Sequence, residues 1–341
     1  MTTQDWKEFL ETSGAGARVL PFWLEGLYRS PERWRGHVSS QLIARAQAQF
    51  DLSLPEITRT QEATDGTLKF QVRLADGKEV ETVLLPFHKR YTVCLSTQVG
   101  CGMNCSFCFT GTMGLTRHLS AGEIVGQYLR AREVLRKLSP RALNPSIVFM
   151  GQGEPLHNAQ EVRKAIEILN DPRMGDVGLR QMTLSTVGYL PGMEGLRDFP
   201  RVNLALSLHS PFEEERSQLI PVNQKYPLPE VLRVFDEIPL LPRQFITIEY
   251  LLIRDFNMTP RHAEALEGLF RNRKVLLNLI PMNPFPGSRW ERPTEAMIEE
   301  FRQELVRKKL RVMVRGTKGQ DILAACGQLR VDTSARRSRD H

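Results

Sequence analysis

Three cysteines stand close together in this chain, Cys101, Cys105 and Cys108, with the spacing Cys-x3-Cys-x2-Cys and with Phe107 just before the last of them. Soft thiolate ligands suit iron–sulfur clusters, so a short loop of this kind can hold three irons of a [4Fe–4S] cube. The loop supplies no fourth protein ligand, which leaves one iron open. An open iron can chelate the amino and carboxylate groups of S-adenosylmethionine and pass an electron to its sulfonium. The spacing therefore predicts a radical enzyme.

The alternative for this loop is a structural zinc site, which normally takes four protein ligands in a closed tetrahedron. The nearest histidine downstream is His118 and the next cysteine is Cys326, so the local pattern is one ligand short. The cysteine spacing together with Phe107 resembles the signature of the radical S-adenosylmethionine superfamily. We therefore expect one [4Fe–4S] cluster per chain and S-adenosylmethionine as cofactors.

The composition is that of an ordinary globular protein. At 341 residues the chain is long enough for one large domain with an appendage, or for two domains. The net charge of +7 favours a polyanionic partner such as RNA, although charge alone is a weak signal. No apolar run approaches the roughly 18–20 residues that span a bilayer, and residues 1–9 are polar. We expect a cytoplasmic protein with no membrane attachment.

Two small segments precede the main part of the chain. Residues 1–60 place aromatic and leucine side chains among polar ones, which predicts a small helical accessory unit. Pro55 and the polar stretch 58–66 predict an irregular connection. Residues 61–90 predict a β-hairpin extension, because residues 67–74 alternate apolar and polar side chains, residues 78–85 are rich in valine and leucine, and Asp76-Gly77 lies between them.

Strand and helix patterns alternate over residues 91–330. The candidate strands are 91–96, 146–150, 181–185, 203–208, 245–253, 275–280 and 312–315. The candidate helices are 120–138, 160–169, 228–235, 260–270 and 294–308, the first opened by a capping box at Ser120 and Glu123. Such alternation predicts an α/β fold with a parallel sheet, here a partial (β/α) barrel whose active site lies at the carboxyl ends of the strands. Residues 331–341 predict a basic disordered tail.

Beyond the cysteines, the chain resembles the RlmN/Cfr family of radical S-adenosylmethionine RNA methyltransferases over residues 79–328. The resemblance rests on the order and spacing of separate segments. They are CLSTQVGC at 94–101, MGQGEPL at 150–156, LSTVG at 184–188, SLH at 207–209, NLIPMN at 278–283 and DILAACGQL at 321–329.

The resemblance implies a two-step mechanism. A first S-adenosylmethionine methylates Cys326, and a second yields a radical that takes a hydrogen from the S-methyl group, so that the carbon can add to adenine. Cys94 then releases the product by forming a disulfide with Cys326, and Glu81 accepts the ring proton. From the residues alone, Cys94 is equally a buried core thiol, Cys326 a packing residue in a run of small residues, and Glu81 a solvated strand residue.

The same resemblance implies contacts to S-adenosylmethionine at the strand ends. Gly153 and Glu154 follow a candidate strand in a glycine-rich turn, where glycine allows close approach of the backbone and Glu154 can accept from the methionine ammonium. The remaining implied contacts are Ser185, Ser207, Leu208, His209 and Asn283. The plain alternatives are an ordinary βα turn at 151–153 and a core histidine at 209.

The implied substrate is RNA. The RlmN branch methylates carbon 2 of adenosine in 23S ribosomal RNA and in some transfer RNAs, and the Cfr branch methylates carbon 8. Glu154-Pro155-Leu156 favours the RlmN branch, whereas residues 207–211 and 214–217 are closer to Cfr, so carbon 2 is the prediction and carbon 8 the alternative. The N-terminal unit matches the family poorly, which leaves open a paralogue acting on another substrate. A non-catalytic RNA-binding protein with a redox-sensing Cys94–Cys326 pair is the alternative from another class.

RNA is expected to be held electrostatically, with the target base splayed out of its stack. The candidate contacts are Arg117, His118, Arg315, Lys318 and the tail residues Arg336, Arg337 and Arg339, each of which is otherwise part of a solvated basic face. The resemblance implies a reducing partner such as flavodoxin. We expect a monomer.

Overall fold

The computed structural model describes residues 1–88, 90–142 and 144–331. The chain begins with the helices α1 (Thr3–Thr12), α2 (Leu20–Tyr28) and α3 (Ser40–Gln49). Trp6, Leu10 and Trp23 are buried in this unit, and they belong to the same apolar cluster as the core of the main sheet. The prediction of helices at the N-terminus is confirmed.

An antiparallel meander follows, made of β1 (Glu56–Glu62), β2 (Leu68–Arg73) and β3 (Glu79–Phe87). The predicted hairpin is confirmed as the β2–β3 pair. The irregular connection predicted over residues 58–66 is wrong for its first part, because residues 56–62 pair with β2. Since β1 is an edge strand with mostly polar, partly exposed side chains, it lacks the apolar alternation that would reveal a strand.

The main sheet continues directly from this meander. Its further strands are β4 (Arg90–Cys94), β7 (Ser146–Phe149), β8 (Met182–Thr186), β9 (Asn203–Ser207), β10 (Ile246–Leu252), β11 (Val275–Pro281) and β12 (Val312–Val314). Strands β5 (Gln98–Cys101) and β6 (Gly114–His118) form a separate two-stranded ribbon. The order of strands in the main sheet is β1-β2-β3-β4-β7-β8-β9-β10-β11-β12, and pairing is parallel from β4 onward. The predicted α/β fold, a partial (β/α) barrel, is confirmed.

Helices connect the parallel strands. They are α4 (Ala121–Leu138), α5 (Ala159–Asn170), α6 (Leu190–Met193), α7 (Glu213–Leu219), α8 (Leu228–Asp236), α9 (Pro260–Phe270) and α10 (Glu295–Arg307). The capping box predicted for α4 is present: the Ser120 hydroxyl accepts from the Glu123 N–H at 3.2 Å, and the Glu123 carboxylate accepts from the Ser120 N–H at 2.9 Å. Because the strands from β4 onward pair in parallel, their carboxyl ends lie along one common edge of the sheet.

Two further predictions concern the ends and surface of the chain. Across the described ranges, no helix is long and apolar enough to cross a membrane. The basic tail predicted for residues 331–341 lies, apart from Val331, outside the described residues, and so do Arg336, Arg337 and Arg339.

Candidate active site

A cavity of about 140 Å³ lies at the carboxyl ends of the parallel strands. Residues from the cysteine loop, from the ends of β7 to β11 and from the C-terminal segment line it together. Among them are Cys101, Cys105, Cys108, Phe107, Gly153, Glu154, Ser185, Ser207, His209, Glu249, Arg315 and Cys326. The cavity thus collects most of the residues that the sequence singled out.

The cysteine loop is held between the strands of the β5–β6 ribbon, an element that the sequence did not predict. A tight turn forms where the Cys108 N–H donates to the Cys105 carbonyl at 3.1 Å. The Phe109 N–H donates to the Gly327 carbonyl at 2.6 Å, which ties the loop to the segment that carries Cys326. The loop and the C-terminal segment are therefore positioned as one structure.

Cys105 of this loop is buried, and Cys101 and Cys108 are half-buried. Burial raises the pKa of Cys101 to about 12. Burial, together with the neighbouring Cys101 and Cys108 thiols, raises the pKa of Cys105 well above that of a free thiol, and burial also raises the pKa of Cys108. Iron would supply the positive charge that thiolates need here. The donor set fits a cluster.

Glu154 sits in the turn after β7 and faces the cavity. Gly153 precedes it with a φ of +103°, and a Cβ there would lie 2.6 Å from the Gln98 Cβ, so the turn requires glycine. The Glu154 carboxylate accepts N–H donors from Leu156 and Val187, each at 3.0 Å. Burial raises the pKa of Glu154 to about 7. A cationic group in the cavity would hold this carboxylate ionised, which fits the ammonium of S-adenosylmethionine.

His209 and Phe107 meet edge to face in the same cavity, with ring centroids 4.5 Å apart. The His209 Nδ1 accepts the Leu251 N–H at 3.1 Å, which places the ring proton on Nε2. Burial lowers the pKa of His209 to about 3, and the nearby Arg216 guanidinium adds to this. The ring is therefore a neutral donor, and the aromatic residue before the last cysteine has a structural role as its packing partner.

The other predicted cofactor contacts divide between two places. Ser185 and Ser207 line the cavity with Gly153, Glu154 and His209. Leu208 does not line it, because its side chain is fully buried in the core. Asn283 lies in a second, adjacent cavity, where its Nδ2 donates to the Cys326 carbonyl at 3.5 Å. Its Oδ1 is buried with no hydrogen-bond partner among the described residues.

Cys94 and Cys326 share this second cavity, which holds about 30 Å³. Burial, with the Cys326 thiol adding, raises the pKa of Cys94 to about 12. Both cysteines are free thiols, as are the three of the loop. Cys326 lines both cavities, so this residue lies where the two spaces meet. The structure thus brings together two cysteines from opposite ends of the sequence.

Glu81 lies beside these cavities without lining them. It is 4% exposed, so the alternative of a solvated strand residue is wrong. One carboxylate oxygen lies 3.0 Å from the Lys69 Nζ, and the other accepts the Arg330 N–H at 2.7 Å. Burial raises the pKa of Glu81, although the Lys69 ammonium opposes this shift. Lys69 also donates to the Leu323 carbonyl at 3.2 Å. The ion pair therefore bonds to the chain both before and after Cys326, at residues 323 and 330.

Sequence reasoning missed Glu249 and did not place Arg315 at the cavities. Glu249 lines the first cavity from the middle of β10, and its position inside an apolar strand is a signal that could have identified it. Arg315, a predicted RNA contact, lines both cavities, and the adjacent Cys326 thiol raises the pKa of its guanidinium. Its position directly after β12, at a strand end, could have placed it in the active site.

Two predicted RNA contacts already have partners within the chain. Arg117 donates to Asp76 at 2.8 Å and to both carboxylate oxygens of Glu123, at 2.8 and 2.9 Å. The His118 ring lies 2.9 Å from the Gln98 side chain. Arg117 therefore has little free charge to offer a phosphate, while Lys318 lines the second cavity.

Comparisons with known proteins agree with this geometry. The sequence profile of the Radical SAM superfamily matches residues 95–263. The chain is 42% identical over 300 residues to the dual-specificity RNA methyltransferase RlmN of Lawsonia intracellularis, covering 86% of this chain and 84% of that one. It is 44% identical over 272 residues to the protein of the same name from Syntrophotalea carbinolica, covering 80% and 71%. A crystal structure of a radical SAM methyltransferase from Sphaerobacter thermophilus superposes with a TM-score of 0.90 at 36% identity, covering 97% and 98%.

Proposed function

Because the chain belongs to the RlmN family of radical S-adenosylmethionine RNA methyltransferases, we propose that it methylates carbon 2 of an adenosine in 23S ribosomal RNA, with transfer RNA as a second substrate. The observation that carries this proposal is the pair of adjoining cavities. Cys326 lines both, with the cysteine loop and Glu154 on one side and Cys94 on the other.

Cys101, Cys105 and Cys108 would hold the [4Fe–4S] cluster, and Glu154 would bind the ammonium of S-adenosylmethionine. When bound, these cofactors supply radical chemistry able to break a C–H bond that acids and bases leave intact. His209 donates from Nε2 into the same space, and the buried walls of the cavity exclude water. The remaining steps belong to side chains of this chain.

Cys326 carries the methyl group to the base in this proposal. The Cys94 thiolate then attacks the Cys326 sulfur: an S–S bond forms, the S–C bond to the base breaks, and the released carbon takes up a proton to become the methyl group of the product. Both cysteines line the second cavity, which supports that exchange. Arg315 places a positive charge beside them, and the thiolate is the nucleophilic form of cysteine. Burial opposes ionisation of the Cys94 thiol, and the Arg315 guanidinium favours it. The attack of Cys94 on the Cys326 sulfur therefore depends on Arg315.

Glu81 is the proposed acceptor of the adenine ring proton. A buried carboxylate with a raised pKa binds protons more readily than an exposed one, which suits a general base. Its oxygens are occupied by Lys69 and the Arg330 N–H, so one of these contacts must give way when the base arrives. Movement of the C-terminal segment would release the Arg330 contact.

Mass spectrometry of nucleosides tests the proposal, after anaerobic incubation of reconstituted protein with reductant, S-adenosylmethionine and RNA. We expect 2-methyladenosine from the native protein and none from Cys326→Ala, while the cluster absorbance of the variant is unchanged. Reduced flavodoxin in place of a chemical reductant tests the electron donor. An 8-methyladenosine product would place the reaction at the other ring carbon, and methylation by Cys326→Ala would refute the two-step mechanism.

A further inference from the structure

The two cavities differ in the residues that line them. The first is lined by the cysteine loop and the strand ends, and the second by Cys94 and Cys326 together with residues that the first cavity lacks. Three of these residues are Phe87, Thr317 and Lys318, which line the second cavity but not the first. We call these three residues the rim. If cofactors fill the first cavity, the substrate base has to approach Cys326 from the side of this rim.

Phe87 is an unusual residue for this position. It ends β3 with 40% of its surface exposed, one of few large apolar side chains so exposed among the described residues. The Lys318 Nζ lies 5.5 Å from the centre of its ring. The ammonium lies over the ring, so an aromatic face and a cation stand together. These two groups match the two parts of a nucleotide, since bases stack on aromatic faces and phosphates pair with cations.

We propose that Phe87 and Lys318 form the subsite that receives the unstacked target nucleotide, with the base on the Phe87 ring and its phosphate on Lys318. This proposal rests on the proposed function and specifies how the RNA enters that same site. The second cavity, about 30 Å³, is smaller than a purine, so the base is captured at the rim first. It then moves inward as the Cys326 segment shifts.

Binding of RNA by the reconstituted protein tests this subsite. The probe is a fluorescein-labelled transcript of the peptidyl-transferase segment of 23S ribosomal RNA, followed by anisotropy at several salt concentrations. Phe87→Leu keeps an apolar side chain but removes the flat ring, and we expect about tenfold weaker binding, with recovery in Phe87→Trp. Leu138→Ala, at an exposed apolar position at the end of α4, is the matched control and should bind like the native protein.

Lys318 is tested through the salt dependence. Lys318→Ala should lower the slope of log K against log salt by about 1, as expected for the loss of one phosphate contact. Lys274→Ala, just before β11 at the opposite ends of the strands, should leave the slope unchanged. Native binding and native slope in Phe87→Leu and Lys318→Ala would overturn the subsite. Nucleoside analysis of the native protein decides the methyltransferase function separately, because the binding measurements do not depend on turnover.

Discussion

Glu154 has a clear consequence for stability at the scale of a single residue. Burial raises the pKa of its carboxyl from 4.5 to about 7. Between these values the folded chain holds a proton that the unfolded chain has lost, so the free energy of unfolding falls as the pH rises. Above pH 7 the carboxyl is ionised in both states and the loss stays constant, at about 3 kcal/mol.

Glu154→Gln should remove this pH dependence. Relative to the native protein without cofactors, the variant should gain about 3 kcal/mol in unfolding free energy between pH 4.5 and pH 8. Urea unfolding at both pH values measures the gain, and any lost hydrogen bond cancels because it affects both values equally. Glu264→Gln, at an exposed position of α9, is the control for removing one carboxylate. An unchanged difference between native and variant protein across this pH range would contradict the prediction.

The buried Lys69–Glu81 ion pair connects two parts of the chain that are far apart in sequence. Lys69 is 6% exposed on β2 and lies directly opposite Val83, whereas its partner Glu81 stands two positions earlier on β3, opposite Gln71. Removing one member of a buried ion pair leaves the other charge unpaired, which costs far more than the pair itself contributes. Because the same two side chains also bond to residues 323 and 330, they couple the meander to the segment that carries Cys326.

At the scale of elements, the turn after β7 depends on its glycine. Gly153→Ala would force an L-residue into a φ of +103° and a Cβ to within 2.6 Å of Gln98. Since the Gln98 side chain accepts the Glu154 N–H, the substitution should displace Glu154 as well. We expect at least tenfold weaker binding of S-adenosylmethionine to reconstituted protein, measured by equilibrium dialysis.

The control for this variant is Gly195→Ala, where a Cβ would meet nothing within 4 Å. It should bind the cofactor like the native protein. Equal affinity in both variants would show that the turn tolerates a side chain and that Glu154 does not depend on it.

How far the sequence predicts these elements depends on the physical signal each one carries. Strands β7 to β12 and helix α4 follow from apolar runs and a capping box, because buried strands and helix ends leave local patterns. The edge strand β1 and the β5–β6 ribbon leave none, since their pairing depends on partners elsewhere in the chain. The spacing singles out the three loop cysteines and the family resemblance singles out Glu154, and all four residues line the same cavity. The contact between Lys69 and Glu81 could not be predicted, because the register between two paired strands is not encoded in either strand alone.

At the scale of the whole molecule, the N-terminal helices and the barrel share one apolar cluster rather than two. Arg132 of α4 stands at the junction, 3% exposed, and its guanidinium donates to the carbonyls of Tyr28, Met174 and Gly175. Burial lowers the pKa of Arg132 to about 10. The side chain stays charged at neutral pH, and it satisfies carbonyls from both parts of the chain at once.

Arg132→Met should therefore loosen the N-terminal helices from the barrel. The substitution keeps the apolar stem but leaves three carbonyls without their donor, which we expect to cost about 3 kcal/mol at the junction. Hydrogen exchange followed by mass spectrometry should show amides of α2 exchanging roughly a hundredfold faster, while the central strands keep their protection. Arg136→Met, an exposed arginine one turn further along α4, should leave α2 unchanged. If α2 kept its native protection in Arg132→Met, apolar packing around Trp23 would by itself hold the two parts together, and the guanidinium would be dispensable for docking.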